Sequence, residues 1–207
     1  MMGSAQPPNW QPKFLELWPT LLMRRSLADC DEPNRQLIAL IEEMDRASEQ
    51  LTSRYQGVDF LATDSPAVAW LQAGIEESVV ACFAELGMDY PIRWSVQSWA
   101  NINRQGDYHP PHNHAWCYLS GTYYVKMAGD GGGAISFYDP RSTVNMLVPG
   151  GEGAGGPEYT LTPSPGTLLL WHSSLNHLVH PNQSVETRIS ISFNIVLEWA
   201  NHYASDA

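Results

Sequence analysis

Two regimes of hydrophobic spacing divide the chain near residue 90. Before it, apolar positions recur every three to four residues. Leu37, Leu40, Ile41 and Met44 form one stripe, opened by Asp31-Glu32-Pro33, and predict a helix running to about Tyr55. Val68, Leu71, Ile75, Val79, Cys82, Phe83 and Leu86 form a longer one. Ser65 is placed to cap that second helix, Pro66 suits its first position and Gly87 its end. Ahead of both, residues 13–27 are apolar with a proline and predict one or two strands at a sheet edge, while residues 1–12 read as a loose polar tail.

After residue 90 the period becomes two. Trp94, Val96, Ser98, Ala100 and Ile102 alternate with Ser95, Gln97, Trp99, Asn101 and Asn103. Further strands are expected at 115–127, 134–138, 145–149, 158–162, 167–171, 177–180 and 187–198. Turns are marked by the run Gly129 to Gly133 and by Ser164-Pro165-Gly166. The glycine-rich stretch 149–157 reads as a loop and not a phosphate cradle, since neither a lysine nor a helix start follows it. Helices first and then many strands, without an internal repeat, predict one mainly β domain over residues 1–207. Its β core spans 91–198, a strand and helical buttress spans 13–90, and a short tail spans 199–207.

Composition narrows the function classes. With 207 residues, 43% of them hydrophobic, the chain can bury a real core and is not disordered. No apolar run reads as long enough to cross a bilayer and the N-terminal stretch has no signal-peptide character, so a cytoplasmic protein is expected. A net charge of −11 repels phosphate backbones, which argues against a nucleic-acid partner and leaves a small molecule or peptide as the expected substrate. Cys30, Cys82 and Cys117 are scattered, with no paired spacing, and read as small apolar side chains rather than a disulfide framework or zinc site.

The candidate chemistry lies in His112-Asn113-His114, His177 and Arg188-Ile189-Ser190. Two-residue spacing on a strand puts His112 and His114 on one face, and His177 is placed to close a metal site with an open side. Arg188, Ser190, Ser192 and Asn194 alternate with Ile189, Ile191, Phe193 and Ile195, so one strand face is polar and the other apolar. A polar face turned into a small barrel needs partners, because buried unpaired polar groups are costly. A dicarboxylate paired with Arg188 and hydrogen-bonded by Ser190 would supply them, the alternative being a solvent-facing strand edge with an ordinary surface arginine. His109 differs in parity from His112 and is expected to line the pocket; His180 is expected on the opposite face from His177, and His172 near the mouth. Trp99, Trp116, Tyr123, Tyr124 and Arg141 are candidates to shape the pocket, with core packing the alternative for each aromatic.

These residues resemble the motifs of the iron(II)- and 2-oxoglutarate-dependent oxygenases of the double-stranded β-helix (jelly-roll) fold. The approach from Asn103 through Gly106 and His109 to His112 and His114, the run Gly131 to Phe137, Pro165 to Trp171, Ser174 to Asn182 and Arg188 to Asn194 all look like that family. Trp99 to Asn103, Leu119 to Tyr124 and Asp139-Pro140-Arg141 resemble a bacterial and phage subgroup whose first motif is commonly H-x-H. The resemblance covers residues 93–198 and implies that His112, His114 and His177 ligate Fe(II), with Arg188 and Ser190 binding the distal carboxylate of 2-oxoglutarate as co-substrate. It implies oxidative decarboxylation coupled to hydroxylation of a substrate. His114 departs from the aspartate or glutamate of the wider family. Two other readings remain open here. One is a cupin-type three-histidine metalloenzyme (a dioxygenase independent of 2-oxoglutarate, or a zinc hydrolase), although Leu119 stands where cupins often carry glutamate. The other is a non-catalytic jelly-roll binding module.

Overall fold

Every strand pairing in the computed structural model is antiparallel, and the strands form two sheets. The structure describes residues 19–47, 59–88, 91–129, 132–141 and 158–198. The larger sheet contains β1 (Leu22–Ser26), β2 (Trp94–Asn103), β4 (Leu119–Lys126), β7 (Thr167–His172) and β9 (Arg188–Leu197), in the order β1-β7-β4-β9-β2. The smaller contains β3 (His109–His112), β5 (Ile135–Tyr138), β6 (Glu158–Leu161) and β8 (His177–Val179), in the order β3-β8-β5-β6. Two helices, α1 (Asp31–Ala47) and α2 (Pro66–Glu85), cover the outer face of the larger sheet. The spacing predicts such a mainly β fold with helical buttresses, and the two antiparallel sheets are those of the double-stranded β-helix that the resemblance implies.

The alternation in β9 decides what each side of the larger sheet does. Ile189, Ile191, Phe193 and Ile195 are fully buried and pack with Leu168, Leu170 and Leu119 against Leu37, Ile41, Leu71, Ile75 and Val79 of the helices. Arg188, Ser190 and Asn194 are also buried, on the other face, between the two sheets. A second apolar cluster of Tyr124, Ile135, Phe137, Leu169 and Trp171 closes the inter-sheet space beside them. Gly121 is required where β4 meets β9: an added Cβ would lie 2.4 Å from the Phe193 ring and 2.7 Å from the Leu169 carbonyl.

The helix boundaries follow local chemistry. Ser65 is extended and Pro66 opens α2, while Gly87 at φ 71° ends it in the left-handed region. Among the described residues β1 pairs only with β7, at the sheet edge. The expected continuation of α1 to Tyr55, the tails at 1–12 and 199–207, the strand at 145–149 and the loop at 149–157 lie outside the described residues. One expectation needs correction. By length and composition α2 is apolar enough to cross a bilayer. Its apolar face is instead occupied by the sheet, with Val68, Leu71, Ile75 and Val79 at 0–1% exposure, which is the packing of a core helix.

Candidate metal centre

β3 and β8 bring two histidines face to face. His112 and His177 are register partners, and their ring centroids lie 4.3 Å apart. His114 completes the group, 5.1 Å from His112 and 5.3 Å from His177 between centroids. One ligand nitrogen from each of the three lies within 4.8 Å of the others. The route by which His114 arrives differs from the same-strand-face expectation. β3 ends at His112, and its register with β8 shifts between His109 and His112. His114 lies beyond the strand, tied back by its backbone N–H to the Ser173 carbonyl at 3.0 Å. A short bulged strand and a tether hold it where regular alternation would not.

The hydrogen bonds choose the tautomers. Nδ1 of His112 lies 2.7 Å from the Pro110 carbonyl, and Nδ1 of His177 lies 3.0 Å from the Leu175 carbonyl. A carbonyl only accepts, so both Nδ1 atoms carry the proton and both Nε2 atoms keep a lone pair. Burial also keeps His177 and His114 neutral. It pulls His177 down to about 3, with a smaller upward push from the Leu175 hydrogen bond and a further downward one from His112. Burial, followed by the neighbouring His112 and His109, pulls His114 down to about 4. Neutral imidazoles with free Nε2 atoms are what a divalent transition metal binds.

The three rings line a small cavity of about 90 Å³. Trp171 stands edge-on to His177 at 4.9 Å, and Trp99 is tilted against His114 at 6.0 Å. Tyr124, Ile135 and Val179 form an apolar stretch of wall, and Asn101, Ser190, Ser192 and Arg188 form a polar one. Arg188 is 1% exposed. Its Nη2 donates to Asn103 Oδ1 at 2.6 Å, its Nη1 donates to the Gly133 carbonyl at 3.2 Å, and its Nε has no partner among the described residues. Gly133 makes this approach possible. It sits at φ 83°, and an added Cβ would lie 2.4 Å from Nη1. Burial pulls the guanidinium below its ordinary value, against an upward push from Tyr124 and then Asp107, yet an arginine stays charged in a protein.

The remaining expected residues divide. His109 lines the cavity and accepts at Nε2 from Asn103 Nδ2 at 3.3 Å; burial, then Arg188 and His112, pull it to about 4. His180 points elsewhere, to Ser136 Oγ at 2.7 Å. His172 is exposed and packs on Tyr118, away from the cavity wall. Tyr124 and Trp99 line the cavity, whereas Tyr123 faces the helices and donates to Asn34 Oδ1 at 2.7 Å. Trp116 is 96% exposed, and Arg141 is exposed and paired with Asp139. Asn103 and Gly133, which hold Arg188, carry no motif signal of their own as such holders; only Asn103's place on the inner parity of β2 points to it.

Residues 97–194 match the model of a family described as "Putative 2OG-Fe(II) oxygenase". No curated protein matches the chain. Among solved structures, a Pseudomonas putida prolyl-4-hydroxylase is similar with a TM-score of 0.63 at 14% identity, over 86% of this chain and 89% of that one. A Trichoplax adhaerens prolyl hydroxylase, solved with a hypoxia inducible factor oxygen degradation domain peptide fragment, gives 0.62 at 13% identity over 84% and 83%. The epimerase SnoN in complex with Fe3+, alpha ketoglutarate and nogalamycin RO gives 0.56 at 15% over 86% and 79%. At these identities the likeness is one of fold. Iron and 2-oxoglutarate fit the donors present: three imidazoles bring one ligand nitrogen each within 4.8 Å of the others, and a buried guanidinium beside them has an N–H with no partner among the described residues.

Proposed function

We propose that this enzyme, whose residues 97–194 match the 2OG-Fe(II) oxygenase family model, couples the oxidative decarboxylation of 2-oxoglutarate to hydroxylation of a C–H bond, with His112, His114 and His177 as the iron ligands. Iron held by these three rings would supply the activation of dioxygen. The rest is the work of the chain. Arg188 and Ser190 bind the distal carboxylate, the guanidinium by charge and fork geometry and the hydroxyl by one hydrogen bond. Pro110 and Leu175 carbonyls fix two of the imidazoles in the binding tautomer. Trp171, Tyr124, Ile135 and Val179 exclude water around the reacting centre. Three neutral imidazoles leave the metal's double charge uncompensated, and a dianionic co-substrate offsets it.

The observation that carries the reading is Arg188: a fully buried cation in the wall of the histidine cavity, whose Nε has no partner among the described residues. A three-histidine dioxygenase or zinc hydrolase without a diacid leaves it unexplained. The test is release of succinate from 2-oxoglutarate with added Fe(II) and oxygen. Succinate is expected from the wild type and lost on Arg188→Ala, which should weaken 2-oxoglutarate binding by about 2–5 kcal/mol in calorimetric titration. Unchanged affinity in that variant would remove Arg188 as the anchor.

A further inference from the structure

Among the described residues, every hydrogen-bond partner of Arg188 is a neutral oxygen: Asn103 Oδ1 and the Gly133 carbonyl. Among the described residues no carboxylate stands within ion-pair distance of it. Asn103 is its register partner across β2 and β9, and is itself 1% exposed. The orientation of that amide follows from chemistry. A guanidinium only donates, so Oδ1 must face Arg188, and Nδ2 is then left to donate to His109 Nε2 at 3.3 Å. Asn103 thus ties the anchor to a cavity-lining histidine. An aspartate here would have the same shape and supply a counter-charge. A buried charge without one is strongly destabilising, and the chain holds it with an amide.

We propose that Asn103 is a positioning residue that orients Arg188 while leaving its charge unneutralised, so that the diacid supplies the missing counter-charge. The empty protein is therefore less stable than its fold would allow, and binding of the diacid restores that stability. This rests on Arg188 being the diacid anchor.

The test uses the 207-residue chain loaded with Mn(II), as wild type, Asn103→Asp and Asn103→Ala. It reads thermal unfolding with and without 2-oxoglutarate, and calorimetric titration with it. Asn103→Asp is expected to melt about 2–4 °C higher than wild type when unliganded, by about 1 kcal/mol for a chain of this size. It should also bind 2-oxoglutarate at least ~100-fold more weakly and lose the ligand-dependent rise in melting temperature. Asn103→Ala is expected to melt lower than wild type and to lose only about tenfold in affinity, the size of one hydrogen bond to a charged group. A merely structural role would move both variants in the same direction. Equal losses of affinity, wild-type affinity in either variant, or failure of Asn103→Asp to fold would each overturn the proposal while leaving the anchor standing. No 2-oxoglutarate-dependent stabilisation of the wild type would instead overturn the anchor itself, and the proposal with it.

Discussion

His112 and His177 face each other across the antiparallel pair of β3 and β8, with ring centroids 4.3 Å apart, and each has its Nδ1 against a main-chain carbonyl two residues earlier. Backbone pairing therefore sets their separation, and backbone acceptors set their tautomers. The two rings need no side-chain support from elsewhere to present Nε2 to a common point.

Removing one ring of this pair should remove the metal. His177→Ala and His112→Ala are each expected to lower affinity for Mn(II) or Fe(II) by at least about 100-fold, more than the loss of an outer-shell partner usually costs. Metal titration followed by calorimetry measures this. Retention of tight binding in both variants would place the metal elsewhere.

The buried imidazoles make metal-free stability depend on pH. His109 and His114 are pulled to about 4 and His177 to about 3, mainly by burial, against an unfolded value of about 6.5. The unfolded chain thus binds more protons between those values, and stability rises with pH in that window. The contribution is complete above about pH 6.5 and lost progressively as the pH falls toward 4 and then 3. Denaturant midpoints of the metal-free protein should fall from pH 7 to pH 4, and His177→Leu should flatten the slope. A flat profile would show these rings to be solvated.

Gly133→Ala should damage both the fold and the proposed anchor, Arg188. The backbone is at φ 83°, and the added Cβ meets Arg188 Nη1 at 2.4 Å. Left-handed strain alone costs about 1–3 kcal/mol, and displacement of the guanidinium should weaken 2-oxoglutarate binding in parallel. Chemical denaturation and ligand titration on the same variant separate the two.

The adjacent tyrosines should behave oppositely. Tyr123→Phe removes the hydrogen bond to Asn34 on the helical side and is expected to lose about 1 kcal/mol of stability with 2-oxoglutarate affinity unchanged. Tyr124→Phe alters the cavity wall beside Arg188 and is expected to weaken the co-substrate by up to about tenfold. The reverse assignment of effects would mean that the strand parity at β4 is wrong.

The two regimes of spacing contain the architecture. Period 3.6 in α1 and α2 and period two from residue 94 onward follow from which side chains must leave water, and that is a local property. The same rule sorted β9 into an apolar face and a polar one, and the spaced histidines with Arg188 and Ser190 marked the candidate site that the fold brings together. The resemblance added the cofactors. Parity says which face a residue takes, but not what stands opposite it. That depends on register between strands far apart in the chain, and on where a strand stops. Hence the strand carrying His109 to His112, the tether that brings in His114 after it, the departure of His172 and Tyr123 from the site, and the neutral grip of Asn103 and Gly133 on Arg188 were decided by tertiary structure alone. Each is a contact between residues dozens of positions apart or an irregularity in a ladder, and no local pattern of apolar and polar positions encodes either.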